Sequence, residues 1–402
     1  MARILWPACF EAGSYLPVTP LVRELIARGH DVTALCVPPS QATFAALGCR
    51  FRSTTSVEAY DPTRPPPPTR SNDPESKRRR YPGIVRPLFD DTLAELRAER
   101  YDLAFVDPLE PGGGFAAEAA GVPSVSYAHF AMDEREGAGD VPFSFHFWDP
   151  TTPIGPATVT WWNELRGSVG LGPDPRPPEQ HRWFRHSGRL TLVLGLPELV
   201  HPRGALPAYA HRVGPIVGEA PIEIDPPSWL GSIGGDRPAV LVSGSTSWQK
   251  DAQQVVTLGE AARSLGVDVV ATVASEHRLP TLPDNVRVTT FVPHSLLMNR
   301  VSVIACHAGY GTTTRAACAG IPMLLFPTGR DQFHVARGAV AAGFAISLDQ
   351  ASDVATVRQA LDRLLTEVRY RESARSLAHA ATQYSGARVA ADLIEQGLGE
   401  HP

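Results

Sequence analysis

The stretch from Val303 to Gln332 reads VIACHAGYGTTTRAACAGIPMLLFPTGRDQ. Val303–Cys306 is a short apolar run, the pattern of a strand buried on both faces of a parallel sheet. It ends at His307 and a glycine-broken turn, Ala308-Gly309-Tyr310-Gly311. Thr312 to Ala319 has the composition of a helix, closed by Gly320 and Pro322. Met323–Phe326 is a second buried strand, followed by Thr328-Gly329-Arg330-Asp331-Gln332. A strand, a glycine turn and a helix N-terminus together make an anion site, because free backbone N–H groups and the helix dipole face whatever sits there. Glycine lets that backbone come close. A diphosphate is the natural guest, with the Asp331 carboxylate and the Gln332 amide one crossover away. Glycine spacing alone does not choose the ligand, since an ordinary strand-to-helix turn carries the same residues. Thr314 stands where the dinucleotide fingerprint needs its third glycine, which disfavours a nicotinamide dehydrogenase.

Outward from this stretch the chain alternates strand and helix. Arg3–Pro7 reads as a strand, a loop through Gly13 follows, and Pro20–Arg28 reads as a helix closed by Gly29-His30. Asp31–Cys36 is the next strand, completing the opening unit of a doubly wound parallel sheet. Thr54–Arg80, with Pro65–Pro68 and the basic run Lys77–Arg80, reads as a solvated loop or a lid over a pocket. Phe89–Arg100 reads as a helix and Leu103–Val106 as a strand ending in Asp107. Gly112-Gly113-Gly114 reads as a turn, and no Lys follows it to make a phosphate loop. Ser124–Tyr127 and Leu190–Leu194 read as strands. Between Phe130 and Arg185 the period is lost and aromatics gather, among them Phe143, Trp148 and Trp162. They either fill irregular helices or line a pocket for a large apolar ligand.

Pro- and Gly-rich residues 206–230 read as a linker between a domain at 1–205 and a second at 231–380. In the second, Ala239–Ser243 is a strand running into Gly244-Ser245, Asp251–Leu265 a helix, and Val267–Ala274 and Val286–Thr289 strands. Phe291-Val292-Pro293-His294 follows. Helices over Val354–Arg371 and Glu372–Gly397 finish the chain, the segment 381–402 being free to return to the first domain.

These residues resemble the family-one nucleotide-sugar glycosyltransferases, most closely the branch that decorates bacterial natural products. That family carries H-x-G-x-G-T, then G-x-P, then D-Q, as this chain does from His307 to Gln332. It opens with a G-H-x-x-P loop and a helix ending in G-H, matched here by Gly13-Ser14-Tyr15-Leu16-Pro17 and Gly29-His30. The resemblance implies a GT-B fold, two Rossmann-like domains facing a cleft, with an acceptor domain first and a donor domain second. It implies that Phe291 stacks on the nucleobase and the Val292 backbone bonds its edge. It places Ser245, His307, Gly309, Gly311 and Thr312 on the diphosphate, and Asp331 and Gln332 on the sugar. Tyr15, Phe143, Trp148 and Trp162 become acceptor contacts. Inversion at the sugar carbon is expected, with no metal and no cofactor beyond the nucleotide sugar.

Two departures from the family pattern matter. Where ribose-nucleotide members carry a Glu four residues after the second glycine, this chain has Arg315, which removes the acceptor for a 2′-hydroxyl and favours a thymidine diphosphate sugar. Where the family has its catalytic His, this chain has Ser14, whose hydroxyl cannot take a proton at neutral pH. Three readings follow. Asp107 is the base, directly or through Ser14 or water; or the acceptor needs little help; or His129 fills in. The loss of His at 14 and Glu at 315 also keeps open a non-catalytic sugar-nucleotide-binding homologue, or a partner of an active transferase.

Composition supports a globular chain of two domains: 402 residues, 43% hydrophobic, with 37 Lys+Arg against 42 Asp+Glu. That balance gives nucleic acid no basic surface. Cys9, Cys36, Cys49, Cys306 and Cys318 are odd in number and lack C-x-x-C spacing, as expected of buried thiols in a reducing compartment. No apolar stretch reaches the length of a membrane span or a signal peptide. The expectation is a cytoplasmic protein whose partners are a nucleotide sugar and a hydrophobic small molecule, with a homodimer compatible.

Overall fold

Short apolar segments, bounded by glycine, proline and charged residues, form thirteen strands among the described residues of the computed structural model. It describes residues 1–8, 12–57, 74–108, 110–129, 156–175, 190–199, 206, 208–221, 224–244, 252–273, 281–329 and 331–399. The strands are β1 Arg3–Pro7, β2 Asp31–Cys36, β3 Arg50–Ser53, β4 Leu103–Val106, β5 Ser124–Ala128, β6 Leu190–Leu194 and β7 Ala210–Gly214. Then come β8 Ala239–Ser243, β9 Asp268–Thr272, β10 Val286–Thr289, β11 Val303–Cys306, β12 Met323–Leu325 and β13 Ala345–Ser347. Central strands are buried at every residue, as in β4, β5, β8 and β11. That is why they read as continuous apolar runs rather than alternating ones.

Two sheets result. The first runs β3-β2-β1-β4-β5-β6-β7 and the second β10-β9-β8-β11-β12-β13. All pairings are parallel. Each sheet is a Rossmann-like α/β unit whose strand order reverses once, between β1 and β4 in the first and between β8 and β11 in the second. At such a reversal the flanking crossovers leave on opposite faces, and a crevice opens outside the carboxyl ends of the two strands.

The described residues fall into two compact units: the chain up to Pro221 with the segment from Ser385, and residues 224–384. The first core centres on Trp6, Phe44, Phe105 and Tyr127. Trp6 meets Phe44 edge-on at 5.2 Å, and Phe105 meets Tyr127 at 4.6 Å, favourable aromatic geometries. The last helix, Gly386–Gly399, buries Ala390, Ala391 and Ile394 in this same core. Arg28 holds it from outside: its Nη1 donates to Asp392 Oδ1 at 2.6 Å and to Glu395 Oε2 at 2.8 Å. His30, buried beside it, lies 2.9 Å from the other Glu395 oxygen.

Several expectations are corrected. The solvated loop to Arg80 is too long, because the backbone is helical from Pro74 to Ala98. Pro74 suits a first helical position, and the run after it has good helix propensity; Pro82-Gly83 and Pro87 hide this in the sequence. Gly112–Gly114 is not a turn but lies inside the helix Pro111–Ala120. A Cβ at Gly112 would stand 2.5 Å from the Val85 carbonyl oxygen and 3.0 Å from Phe89 N. Glycine there lets two helices touch backbone to backbone. The linker 206–230 contains β7, a seventh strand on the sheet's edge. The C-terminal region holds three helices, Val354–Thr366, Val368–Ala381 and Gly386–Gly399, rather than two.

The described cysteines, Cys36, Cys49, Cys306 and Cys318, are free thiols. Burial pushes Cys36 up to about 11, Cys49 to about 12 and Cys318 to about 11, which makes them unreactive. Among the described residues, no helix is long and apolar enough to cross a membrane.

Gly112→Ala is expected to lower unfolding free energy by about 1–3 kcal/mol through overpacking. Gly167→Ala is the control: it lies in the helix Pro156–Ser168 with nothing within 4 Å of an added Cβ. It should be neutral or slightly stabilising. Urea denaturation of both variants checks the pair.

Candidate functional site

The strand-order reversal in the second sheet lies between β8 and β11, where Ser243 and Cys306 are paired at the carboxyl ends. His307 follows Cys306, and the helix Tyr310–Ala319 begins three residues later, two earlier than its composition suggests. The turn between them is tight. Ala308, fully buried, has φ 64°, the only positive φ of a non-glycine among the described residues. Such a conformation costs about 1–3 kcal/mol and is kept where surrounding structure enforces it.

Gly309 stands at the N-cap position, where no side chain caps the helix. The first intrahelical bond runs from Thr313 N to Gly309 O at 3.0 Å. The N–H groups of Tyr310, Gly311 and Thr312 therefore precede it and have no acceptor within the helix. The role of Gly309 is now visible. A Cβ built there would lie 2.6 Å from His307 Nε2. The imidazole folds back against the Gly309 backbone and sits beside the helix N-terminus. An imidazole and three backbone N–H groups thus share one end of the helix, an arrangement with the chemistry to receive an anion.

Ser243, buried at the end of β8, places its hydroxyl 3.4 Å from that of Thr312. Sequence reasoning missed it because only strand pairing brings position 243 beside position 306. Tyr310 was missed too. Burial lifts its hydroxyl above the usual range, and the Asp331 carboxylate raises it further. Asp331 occupies the N-cap position of the helix Gln332–Ala341, yet its side chain makes no capping bond there. Gln332 is buried, and its amide oxygen accepts from Thr328 N at 2.8 Å, Thr328 Oγ1 at 2.9 Å and Gly329 N at 3.2 Å.

Phe291 is 40% exposed rather than in the core, so its face is open to a ring. Val292 behind it is buried, and His294 Nε2 lies 3.1 Å from Thr272 Oγ1. Arg315 is half-buried on the same helix as Gly311 and Thr312. Ser245, Phe143 and Trp148 lie outside the described residues.

In the first unit the equivalent reversal lies between β1 and β4. Asp107 follows β4 directly and is 1% exposed. Ser14, 7% exposed, lies in the short helix Ala12–Tyr15 after β1. Both belong to the carboxyl edge of adjacent strands. His129 follows β5 and is buried against Tyr127, with ring centroids 5.5 Å apart. Burial pushes its pKa down to about 3. It is neutral at physiological pH but a poor proton acceptor. Two of the residues expected to contact the acceptor are buried and packed on other rings. Tyr15 packs on Phe44 at 5.1 Å, and Trp162, 5% exposed, packs on Phe115 at 4.9 Å. Both follow the apolar stripe of their helices into the core. Among the described residues, no group of three or more His, Cys, Asp or Glu is placed to hold a metal ion.

Comparisons with known proteins bear on the same residues. Residues 255–396 match the family model of the erythromycin biosynthesis protein CIII-like C-terminal domain. The 4'-demethylrebeccamycin synthase of Lentzea aerocolonigenes is 25% identical over 98% of this chain and 99% of its own. The UDP-glucosyltransferase avaP of Aspergillus versicolor is 23% identical over 92% of each. Among solved structures, the calicheamicin glycosyltransferase CalG4 has a TM-score of 0.76 at 21% identity, over 100% of this chain and 99% of that one. The glycosyltransferase VinC in complex with DTDP has a TM-score of 0.71 at 21% identity, over 99% of this chain and 100% of that one.

Two outcomes are expected. Gly309→Ala displaces the His307 ring without straining the backbone, whose φ is −63°. It should weaken nucleoside diphosphate binding by about one to two orders of magnitude, as the loss of a charge-assisted hydrogen bond does; calorimetric titration reads this. His129 has a depressed folded pKa, so its contribution to stability is full above the unfolded value of about 6.5 and is lost as pH falls toward 3. His129→Phe should flatten the acid limb of stability against pH, read by thermal unfolding.

Proposed function

We propose that the chain, which is similar along its length to glycosyltransferases, is a family-one GT-B glycosyltransferase of the natural-product branch that inverts the sugar carbon of a thymidine diphosphate sugar and delivers it to a hydrophobic natural-product aglycone. The observation that carries this reading is the uncapped start of the helix Tyr310–Ala319, with His307 folded onto Gly309 beside it. An acceptor atom attacks C1 of the sugar. The bond from C1 to the β-phosphate oxygen breaks in line, and the nucleoside diphosphate departs with the electron pair. Negative charge grows on the β-phosphate as this happens. Donors already fixed at that point stabilise the transition state more than the ground state. The helix N-terminus takes the charge that a metal carries elsewhere, so the reading needs no metal and no cofactor beyond the co-substrate.

The acceptor proton has to leave. Asp107, next to the Ser14 loop on the carboxyl edge of the first sheet, is the group proposed to take it, directly or through Ser14 or water. His129 is set aside, because burial has removed its basicity. For the nucleotide, Arg315 in place of a carboxylate supports deoxyribose. VinC, crystallised with DTDP, points the same way, while avaP, by its name, uses a UDP sugar. The aglycone class rests on relatives whose names refer to rebeccamycin and calicheamicin.

Thymidine and uridine diphosphate sugars, competed against a panel of polyketide, enediyne and aromatic aglycones with mass-spectrometric detection, test the proposal. Thymidine donors should turn over faster, and a strong preference for uridine donors would refute the nucleotide assignment. In the same assay Asp107→Asn should cut turnover by about two to four orders of magnitude, the usual worth of a general base. Donor binding should be retained, and an unchanged rate would show that Asp107 is not the base.

A further inference from the structure

The Nε2 corner of the His307 ring is the one turned toward Gly309. A Cβ built on Gly309 would lie 2.6 Å from Nε2, against 3.3 Å and 3.4 Å from the ring carbons on either side of it. In a neutral imidazole one nitrogen carries the proton and the other accepts. An Nε2 that donates to an anion therefore needs an Nδ1 that accepts. Nδ1 is shut off from solvent, so the group that decides its state lies inside the protein. The same residue lines a cavity of about 10 Å³ under the ends of β8 and β11. Most of its wall is apolar, and Ser243, Gln254 and His307 bring it oxygen and nitrogen atoms. Gln254 stands in the first turn of the helix Ala252–Arg263. Its amide nitrogen is buried, and among the described residues nothing accepts from it. A buried donor left so is costly. A cavity of this size takes about one water molecule and nothing larger. Ser243 joins it to the helix Tyr310–Ala319, its hydroxyl lying 3.4 Å from that of Thr312.

We infer that this cavity holds one ordered water, which accepts from the Gln254 amide and donates to His307 Nδ1, so that Gln254 is a positioning residue holding His307 in its Nε2–H tautomer. The balance of the water fits its surroundings. One lone pair takes the Gln254 N–H, one hydrogen goes to Nδ1, and the second hydrogen has the Ser243 hydroxyl as acceptor. The opposite tautomer would turn the Nε2 lone pair toward Gly309 and repel an anion there. The water and the tautomer stand on the cavity and the buried amide; only their use, in gripping a diphosphate, rests on the proposed glycosyl transfer. Gln254 touches no substrate in this scheme and acts through the water and the ring.

The full-length wild type provides the first test, without any nucleotide. A high-resolution crystal structure should show one water within about 2.7–3.2 Å of both Gln254 Nε2 and His307 Nδ1. Nitrogen-15 NMR of histidine-labelled protein should show the Nε2–H tautomer for His307, its signals assigned by their loss in His307→Phe. The spectra are recorded at about pH 8.5, above the ordinary histidine pKa of about 6.5, so that a protonated ring does not mimic the result. Gln254→Leu then removes the donor at similar volume. In this variant the His307 signals should move to a mixture of tautomers. Calorimetric titration with thymidine diphosphate should give a Kd about threefold to tenfold weaker, the worth of one neutral hydrogen bond. Thermal unfolding should be unchanged or slightly raised, because an apolar group replaces an unpaired donor. A dry cavity or an Nδ1–H tautomer in the wild type would overturn the inference, and neither measurement depends on a variant folding. An unaltered tautomer in Gln254→Leu would overturn it too, as would full diphosphate affinity once the tautomer has shifted. A wild-type protein that binds no nucleoside diphosphate would sink the functional reading instead, while the density and the NMR signals still decide the water.

Discussion

Every helix that crosses between parallel strands must return the chain to the edge where the strands begin. Its N-terminus therefore lies at the other edge, where the strands end. In a sheet such as β10-β9-β8-β11-β12-β13, this collects the electropositive ends of the helices along one side. The reversal between β8 and β11 opens that side, and the helix Tyr310–Ala319 begins there with a glycine at its N-cap position and no side-chain capping bond. The chemistry follows from this arrangement. A site that grips a leaving diphosphate needs fixed donors that cost no reorganisation when charge develops, and backbone N–H groups at a helix start are such donors.

The same region gives up stability that an ordinary turn would keep. Ala308 sits at φ 64° where glycine would be relaxed, Gly309 replaces a capping residue, and Asp331 leaves its own helix uncapped by its side chain. Each choice is locally unfavourable, and the first two shape the turn: they give it a sharp bend and room for the His307 ring. Burial of the surrounding sheet holds these choices in place. β8, β11 and β12 are buried along their whole length, so the turn cannot relax by moving the strands that enter it.

The two units repeat one plan with different occupants. At the reversal of the first sheet stand Asp107 and the loop of Ser14, where proton transfer is expected rather than anion binding. The last helix belongs to this first unit although the chain reaches it from the second. Arg28, Asp392 and Glu395 hold it against the helix Thr19–Ala27, over a core of Ala390, Ala391 and Ile394. The family match at 255–396 runs through into this helix, so that stretch is not a single structural unit.

The sequence by itself determined the strands and the turn. Buried parallel strands are continuous apolar runs, and Gly309, Gly311, Gly320 and Pro322 punctuate the chain by local steric rules that need no partner. From these came the α/β class and the position of the glycine turn between β11 and the helix Tyr310–Ala319. Tertiary structure decided what depends on residues far apart in the chain. Gly112–Gly114 is helical because the helix Pro74–Ala98 lies against it, and β7 is a strand because β6 offers an edge to pair with. The packing of Tyr15 on Phe44 and of Trp162 on Phe115 was likewise set by tertiary contact. Local propensity acts over a few residues and is written in order along the chain, whereas burial and hydrogen-bond partners are set by which surfaces meet, and that order is established only when the sheets close.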